Sequence, residues 1–434
     1  MSTTKTISGW GGYPKTQSEV IVPKNVSDLK KTLNKPLIPR GMGRSYGDSA
    51  NFSTTLQTNY LDHLIDFDKK NGLLTCEAGT TIQNILNIII PNGWFIPVSP
   101  GTSYVTLGGA IASDVHGKNH HQLGTFGEHV QSIKMMLGNG EIVETSLKNL
   151  PDLFHATCGG MGLTGIILSA TIKLIPIKSS KIIQTEKKSN SLEETCSIFD
   201  ENDRASYSVA WLDCLARGQS QGKSVIILGE HEKDGNLDFK IKEKINIPKN
   251  IPSFLINKHS ISAFNKFFYA KTRNNNKKKV DIFNYFFPLD RINNWNRLYG
   301  KKGFIQYQFV IPNDDVVKNI RIILDKVSQF GLSSFLTVLK KFGKQNNNLL
   351  SFPMSGYTLA LDFKMSGELF KNIIEIDKIV SSIGGRVYLT KDSLMSEEIF
   401  KSSYKKWEEF ENVREKYGAI GKFCSNQSKR LGLK

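Results

Sequence analysis

Three clusters of glycine and other small residues in the N-terminal half constrain the fold of this chain more than any other feature. The first is Pro39–Asp48, in which three glycines fall within seven residues beside two arginines. The second extends from Ser99 to Gly127, and the third, Gly159–Ile167, leads into a β-branched run. Glycine lets a backbone turn tightly and point N–H groups at an anion, and small residues admit a large, flat ligand close to the main chain. The first cluster therefore suits a diphosphate, although a glycine-rich turn between strands is also common.

Several classes of protein are excluded by what the sequence lacks. It contains no Walker-type lysine motif and no strand–GxGxxG–helix pattern, which argues against a P-loop ATPase and a standard dinucleotide-binding Rossmann site. No apolar run approaches the ~18 residues of a membrane span, and the N-terminus lacks the apolar core of a signal peptide. Five scattered cysteines without a CxxC pair are expected to be small core residues rather than disulfides or metal ligands; they are Cys76, Cys158, Cys196, Cys214 and Cys424.

Hydrophobic periodicity predicts alternating strands and helices, with a change of pattern near Lys178. Before it, we expect a helix at Thr81–Ile90, a hairpin around Asn139-Gly140 and a central strand at Ile166–Leu174. Beyond it the glycine clusters end and strand-like runs dominate, followed by helical stretches. The expected strands are Ser206–Asp213, Ser224–Gly229, Gly303–Ile311, Ser333–Lys340 and Thr358–Phe363, and the expected helices are Glu368–Ile383 and Ser396–Tyr417. With 434 residues, the chain is too long for one ordinary core.

Positive charge is concentrated in one segment. The chain has a formal net charge of +17, and His231–Val280 contains twelve Lys and Arg against four Asp and Glu. Asn236–Lys279 has no clear periodicity, so we expect a mobile loop or lid there. A basic, aromatic-rich segment is typical of contact with phosphates at a membrane surface, but a solvated loop is the simpler interpretation. Nucleic-acid binding is not expected, because helix-turn-helix, RNA-binding and finger motifs are all missing.

In this order and spacing, the three glycine clusters resemble the FAD-binding domain of the vanillyl-alcohol-oxidase class. The resemblance implies an α+β fold with a two-part, PCMH-type FAD-binding domain and an inserted antiparallel-sheet substrate domain. The implied parts are residues 1–178, residues 179–385 with the basic loop at about 236–279, and residues 386–434, which complete the site. The diphosphate of FAD would lie on Arg40–Gly47, with the ring running past Gly101–Gly117. Many relatives attach the flavin covalently to a histidine in the first loop; Arg44 stands there, so we expect non-covalent FAD.

Motifs in the second half narrow the resemblance to the decaprenylphosphoryl-β-D-ribose 2′-oxidase family. The segments that carry it are His116–His121, Gly303–Pro312, Phe342-Gly343, Leu350–Pro353, Gly384–Tyr388, Lys391–Ser393 and Lys429–Leu431. It implies FAD-dependent oxidation of the 2′-hydroxyl of a polyprenyl-phosphate-linked ribose to the 2′-keto sugar. This is the first half of an epimerisation to arabinose for cell-envelope polysaccharide, and a separate NAD(P)H-dependent short-chain reductase would complete it. We expect a protein of the cytoplasm or the periphery of the inner membrane, with the periplasmic side left open.

The same resemblance assigns residues to the site. Tyr46, His116, Lys118 and Lys391 are implied to act where flavin and substrate meet, with all but Lys118 also contacting FAD. The other implied cofactor contacts are Arg40, Gly41, Met42, Gly43, Arg44, Ser45, Pro100, Gly101, Thr102, Thr106, Gly108, Gly109, Ala112, Ser113, Gly117, Gly162, Thr164, Gly165, Ile166 and Tyr388. The implied substrate contacts are Trp211, Gln306, Gln308, Lys340, Phe342 and Ala360. Ala360 replaces a cysteine of the best-known relatives, and Phe286 replaces a tyrosine, which removes a hydroxyl.

Elementary chemistry supports several of these assignments and leaves others open. Gln306 and Gln308 are two residues apart on an expected strand, so both amides face one side; they suit sugar hydroxyls, the flavin edge or a hydrated sheet face. A cation such as Lys391 at the ring edge would stabilise developing negative charge. His116 and a bound water are both candidates for the proton acceptor, whereas His120 and His121 are expected to be scaffold.

Two other functions are compatible with the same fold. An alditol or sugar-lactone oxidase would keep the flavin site and act on free polyols or lactones. A non-catalytic scaffold would be expected to lose the loop glycines or Lys391, and this sequence retains both.

Overall fold

The computed structural model describes residues 2–241, 245–252 and 255–434. Helices and mainly antiparallel sheets alternate along the chain, which confirms the predicted α+β class. The strands are β1 (Ser2–Ser8), β2 (Lys15–Ile21), β3 (Ile38–Arg40), β4 (Thr54–Gln57), β5 (Leu64–Asp68), β6 (Leu73–Glu77), β7 (Trp94–Phe95), β8 (Val130–Met136), β9 (Ile142–Thr145), β10 (Ile166–Lys173), β11 (Ile175–Pro176), β12 (Lys181–Ser189), β13 (Tyr207–Leu212), β14 (Ser224–His231), β15 (Ile245–Asn246), β16 (Asn276–Asp281), β17 (Ile292–Asn293), β18 (Phe304–Pro312), β19 (Thr337–Phe342), β20 (Gly356–Lys364) and β21 (Arg386–Val387).

The described residues also form α-helices. They are α1 (Val26–Lys30), α2 (Ile82–Ile89), α3 (Leu107–Ala112), α4 (His120–Leu123), α5 (Pro151–Thr157), α6 (Leu192–Glu201), α7 (Lys258–Lys271), α8 (Ile282–Phe286), α9 (Val316–Gln329), α10 (Leu369–Ser382), α11 (Glu397–Ser403), α12 (Trp407–Lys416) and α13 (Asn426–Arg430). Among the residues described, no helix is long and apolar enough to cross a membrane.

The N-terminal part folds into two sheets. One has the order β1-β2-β4-β3, and the other has the order β5-β6-β10-β8-β9, with β10 in the centre as predicted. The expected hairpin is formed by β8 and β9 and turns at Gly140, whose φ of +82° is in the left-handed region that favours glycine. Helices α2 and α3 bury their apolar residues in the main core. The three glycine clusters therefore lie at the ends of strands of these two sheets and in the segments that connect them.

An eight-stranded sheet follows, in the order β16-β12-β14-β13-β19-β20-β18-β21. Side chains alternate between its two faces, as β18 illustrates. Tyr307 points to one face, where its OH donates to Asp377 Oδ1 of α10 at 2.6 Å, and the core residues of α9 and α10 pack there. Gln306 and Gln308 point to the opposite face, which lines a cavity.

The C-terminal residues return to the N-terminal sheets. Leu37 pairs with Phe423 in a parallel bridge, and the buried Arg414 donates from Nε to Leu163 O at 3.1 Å. This return supports the expected two-part organisation, and we propose 178 and 385 as its boundaries. Strand β21 lies just beyond 385, so the large sheet also takes in the first residues of the third part.

The basic segment is more regular than expected. Within residues 236–279, the structure has helix α7 and most of strand β16, which pairs with β12; residues 242–244 and 253–254 of the expected lid lie outside the described residues. Strand β16 carries Lys278 and Lys279, which form ion pairs with Glu186 and Glu232. The segment is therefore not an irregular loop throughout. All five cysteines are buried, as expected for core residues.

Candidate active site

A cavity of about 680 Å³ lies between the glycine clusters and the open face of the large sheet. It is lined by all but three of the predicted site residues. From the N-terminal part these are Arg40, Gly41, Met42, Gly43, Arg44, Ser45, Tyr46, Pro100, Gly101, Thr102, Thr106, Gly108, Gly109, Ala112, Ser113, His116, Gly117, Lys118, Gly162 and Gly165. From the later part they are Trp211, Gln306, Gln308, Lys340, Ala360, Tyr388 and Lys391. Residues far apart in sequence thus share one site.

Three predicted residues do not line the cavity. Thr164 is buried and its Oγ1 lies 3.0 Å from Thr157 Oγ1, whereas Ile166 packs in a separate apolar cluster behind β10. Phe342 lies one layer further out, with its ring 4.7 Å from that of His116. Phe342 therefore supports a cavity residue, and Thr164 and Ile166 support the fold.

The first glycine cluster is braced by Arg40. The guanidinium donates to Ser8 O at 2.7 Å, to Ala50 O at 3.0 Å and to Asn51 Oδ1 at 2.6 Å. It also lies where a side chain at Gly43 would be, since a Cβ there would come within 2.2 Å of Arg40 Nη2. Burial lowers the pKa of Arg40 to about 10. Arg40 therefore shapes the loop, because its Nη1 and Nη2 groups donate to the protein itself.

Arg44 is placed differently. Its guanidinium carbon lies 4.0 Å from the ring centre of Trp10 and 4.5 Å from that of Tyr104. Its buried Nε has no hydrogen-bond partner within the described residues. Within the described residues, the backbone N–H groups of residues 42–45 donate no hydrogen bond to another backbone group either. An arginine and a run of N–H groups with unused donors are the elements of an anion site.

The second cluster is held by a carboxylate from outside the N-terminal part. Asp290 accepts hydrogen bonds from Thr102 Oγ1 at 2.7 Å, from Ser103 Oγ at 2.7 Å and from Ser103 N at 2.6 Å. Gly101, beside it, has open space where a Cβ would project. Asp290 thus fixes the loop at one edge of the cavity. It was not predicted, because nothing near it in the sequence resembles a motif.

Strand register brings three of the predicted substrate residues, Gln308, Ala360 and Trp211, into one row with Val338, which was not predicted. Gln308 pairs with Ala360, Ala360 with Val338, and Val338 with Trp211. Directly opposed residues of antiparallel strands point to the same face. The four side chains therefore form a row across β18, β20, β19 and β13, and all four line the cavity.

Gln306 lies on the same face and contacts a buried carboxylate. Its Nε2 donates to Asp362 Oδ1 at 2.7 Å, and Tyr299 OH donates to Asp362 Oδ2 at 3.2 Å. Burial raises the pKa of Asp362 to about 7, opposed by Gln306 and Lys391. The prediction that both glutamines face one side is confirmed. Asp362 was missed; the available signal was an acidic residue at an inward position of a predicted strand.

Positive charge outweighs negative charge around the cavity. Three lysines line it with Arg40 and Arg44, against the carboxylates of Glu186 and Asp290. Burial lowers the pKa of Lys118 to about 7, of Lys340 to about 8 and of Lys391 to about 7. A buried cation keeps its charge more readily beside an anion. The cavity is therefore suited to an anionic ligand, which would raise these pKa values.

Two of these lysines also contact aromatic rings. Lys118 Nζ donates to Tyr285 O and lies 4.1 Å from the centre of that ring. Lys391 Nζ lies 3.9 Å from the ring centre of Tyr46. The Tyr46 N–H donates to Thr390 O at 3.0 Å, which ties the first glycine cluster to the turn carrying Lys391. Cation–π contacts of this kind hold an ammonium group in place without neutralising it.

His116 is buried between two polar partners. Its Nε2 lies 3.0 Å from Gln308 Nε2, and its Nδ1 lies 3.4 Å from Lys340 Nζ. Gln308 Nε2 also donates to Thr358 Oγ1 at 3.1 Å, whose own hydroxyl donates to Phe309 O. Both ring nitrogens of His116 therefore face a nitrogen of a neighbouring side chain, Gln308 on one side and Lys340 on the other. Burial and the charge of Lys340 lower the pKa of His116 well below its ordinary value.

The two following histidines are scaffold residues, as expected. His120 Nδ1 accepts from Gly343 N at 3.0 Å, and His121 Nε2 lies 2.9 Å from Ala205 O. Burial lowers the pKa of His120 to about 3.

Comparisons with known proteins decide the family. Residues 14–146 match a family described as an FAD binding domain. The decaprenylphosphoryl-β-D-ribose oxidase of Mycolicibacterium smegmatis is 34% identical, over 100% of this chain and 98% of that protein. This chain belongs to the decaprenylphosphoryl-β-D-ribose oxidase family. Partial similarity extends to the D-arabinono-1,4-lactone oxidase of Candida glabrata, 26% identical over 43% of this chain and 35% of that protein, and to the D-lactate dehydrogenase of Archaeoglobus fulgidus, 29% identical over 36% and 38%.

Membership of the decaprenylphosphoryl-β-D-ribose oxidase family fixes the class of chemistry. The protein is an FAD-dependent oxidoreductase that acts on CH–OH groups, with the PCMH-type fold expected from its glycine clusters. The similarity to the D-arabinono-1,4-lactone oxidase covers less than half of this chain.

Proposed function

We propose that this protein oxidises the 2′-hydroxyl of a polyprenyl-phosphate-linked ribose to the 2′-keto sugar. The observation that carries the proposal is the row formed by Gln308, Ala360, Val338 and Trp211, which faces the glycine clusters across a cationic cavity. Polar amides suit the hydroxyls of a pentose, and buried lysines suit its phosphate. A full-length relative named for this substrate supports the same assignment.

The residues around the cavity fit FAD. Arg44 and the N–H groups of residues 42–45 have unused donors for a diphosphate. Gly41 fits beside Thr106 only because it has no side chain, since a Cβ would come within 2.4 Å of Thr106 Oγ1. Bound FAD would accept a hydride from the substrate carbon. With Arg44 in the first loop, we propose that the cofactor is held without a covalent bond.

The protein's own groups would orient the sugar and receive its proton. We assign orientation to Gln306, held by Asp362, and to Lys391, held over Tyr46. His116 Nδ1 faces Lys340 Nζ, and burial lowers the pKa of this lysine to about 8. A neutral amine there would accept a proton. We therefore assign proton transfer to the His116–Lys340 contact, and binding of the phosphate to Lys118.

The keto product implies partners. A separate NAD(P)H-dependent short-chain reductase would reduce it at the same carbon, completing epimerisation to arabinose for cell-envelope polysaccharide. The lipid-linked substrate would place the protein at the periphery of a membrane. A pull-down of the reductase activity with the purified protein, in the presence of the keto product, tests the first partner.

Anaerobic reduction of the bound flavin tests the function directly. A short-chain polyprenylphosphoryl ribose is added to the purified holoprotein, and the visible flavin absorbance is followed. We expect bleaching with this compound and none with free ribose, xylitol or gulonolactone. Bleaching by polyols or lactones alone would replace the proposal with the alditol or sugar-lactone oxidase, which the partial relatives favour.

A further inference from the structure

Helix α7 presents an apolar face to solvent. Phe267 is 66% exposed and Phe264 is 36% exposed. Residues three apart on a helix lie side by side, so the two rings form one surface with Ala263 and Ala270. The opposite face is anchored: Ile261 is buried, and Asn265 Nδ2 donates to Asp213 Oδ1 at 2.6 Å. The helix is therefore held in place with its phenylalanines outward.

This face is continuous with the cavity. Phe264 and Phe268 both line it. Phe264 lies 4.7 Å from Phe335, and Phe268 lies 4.7 Å from Trp211, measured between ring centres. An apolar wall thus leads from the row of substrate residues to the exposed surface of α7. A hydrocarbon chain attached to a ligand in the cavity would follow this wall outward.

The surroundings of the face are cationic. From Ile245 to Val280 the sequence contains eight Lys and Arg and no Asp or Glu. Lys258, Lys266 and Lys271 belong to α7 itself, and Lys271 Nζ lies 5.8 Å from the ring centre of Phe267. Exposed aromatic residues flanked by lysines are the composition of an element that lies in the headgroup region of an anionic bilayer.

We infer that α7 docks the protein on an anionic phospholipid surface, with Phe264 and Phe267 entering the bilayer and the lysines contacting headgroup phosphates. The lipid chain of the substrate would pass along the wall formed by α7 and Phe335 into the same surface. Only this second part rests on the proposed function.

Cosedimentation with vesicles tests the docking. The full-length holoprotein is mixed with vesicles of phosphatidylcholine alone or of an equimolar mixture with phosphatidylglycerol. We expect binding to the mixed vesicles that weakens with added salt. The variants F267S and K266E should bind roughly tenfold less. I374S is the matched control and should bind like the wild type. Ile374 is 47% exposed and belongs to helix α10, which packs on the other face of the eight-stranded sheet.

Activity separates this inference from the proposed function. F267S should reduce its flavin normally with a short-chain, water-soluble substrate and lose turnover only on substrate embedded in vesicles, which also shows that the variant is folded. Equal vesicle binding by F267S and wild type would overturn the inference. So would binding that ignores phosphatidylglycerol. Salt-sensitive docking by a protein that does not oxidise the lipid-linked ribose would uphold the inference and reject the proposed function.

Discussion

Lys391 combines burial, a fixed position and an incomplete counter-charge. Its ammonium group lies over the Tyr46 ring. Burial lowers the pKa of Lys391 to about 7, and the charge of Asp362 opposes this shift. We expect K391M to slow anaerobic flavin reduction by about a hundredfold or more, because a preorganised charge at the reacting centre is lost. Stopped-flow absorbance measures this rate. K301M, at an exposed lysine, should react at the wild-type rate, and an equal loss in both variants would contradict the role assigned to Lys391.

Asp362 predicts a specific dependence of stability on pH. Burial raises its pKa from an ordinary 3.8 to about 7, so the folded state binds a proton more tightly than the unfolded state. The stability that this group contributes is complete below its ordinary pKa and is lost as the pH rises through about 7. Wild-type protein should therefore lose free energy of unfolding between about pH 4 and pH 7, and D362N should lose less, in urea titrations at several pH values.

Asp377 provides the control for this prediction. Burial also raises its pKa to about 7, and it accepts a hydrogen bond from Tyr307, but it lies on α10 behind the sheet. D377N should flatten the pH dependence of stability as D362N does. Only D362N should slow flavin reduction, because only Asp362 holds Gln306. Equal rates of flavin reduction for D362N and wild type would contradict the assignment of Asp362 to the site.

The presence of Arg44 in the first loop predicts that FAD is released when the protein is denatured. A guanidinium group stands where covalent relatives carry histidine, so no bond to the isoalloxazine is expected. Precipitation with acid should release all of the FAD into the supernatant, measured by its absorbance. Fluorescence that stays with the denatured chain on a gel would contradict this expectation.

Among the elements, the loop around Gly101 gives the sharpest test of where FAD lies. A Cβ at Gly101 meets nothing within 4 Å, and Gly101 lines the cavity, so G101A should fold normally. If the cofactor fills that space, the methyl group should weaken FAD binding by roughly tenfold or more. Equilibrium titration of the apoprotein measures the Kd. G367A, where a Cβ is also unobstructed but lies outside the cavity, should bind FAD like the wild type.

Elements with strong periodicity could be predicted from the sequence, and those shaped by distant charges could not. Strand β10 and the β8–β9 hairpin have an apolar run and a turn signal of their own. Strand β16 carries three consecutive lysines, and two of them are paired by Glu186 and Glu232. A single sequence does not reveal such partners. Helix α7 had a detectable signal, since Ile261, Phe264 and Phe268 follow helical spacing, but its basic composition favoured a loop.

The site residues also divide into those that could be predicted from the sequence and those that could not. Its glycine clusters and the two glutamines of β18 were predictable because their spacing alone has meaning. Asp290 was not, because the residues that it holds are brought near it only by the fold. Asp362 had the signal of an acidic residue at an inward strand position, but that its partner is Gln306 could not be predicted. Arg40 was placed in the site but uses its donors to brace the loop.

At the scale of the whole molecule, Arg430 joins three parts that are distant in sequence. Its Nη2 donates to Asp48 Oδ1 at 2.7 Å and to Asp392 Oδ2 at 2.9 Å, and its Nη1 donates to Met395 O at 2.6 Å. Asp48 closes the first glycine cluster, and Asp392 follows Lys391. Both carboxylates are buried. The C-terminal helix α13 therefore holds the first glycine cluster and the turn that carries Lys391 against each other.

Removing this arginine should affect stability and cofactor binding together. R430Q would leave two buried carboxylates without their cation, and breaking a buried pair in this way costs about 3–5 kcal/mol. Urea unfolding should show this loss, and the same variant should release FAD more readily because the first glycine cluster loses its support. R321Q is the control: Arg321 pairs with Glu193 at an exposed site, so its loss should cost less than about 1 kcal/mol. Adding D48N to R430Q removes one of the stranded charges and should restore part of the stability, whereas a further loss would mean that Asp48 is stabilised by groups other than Arg430.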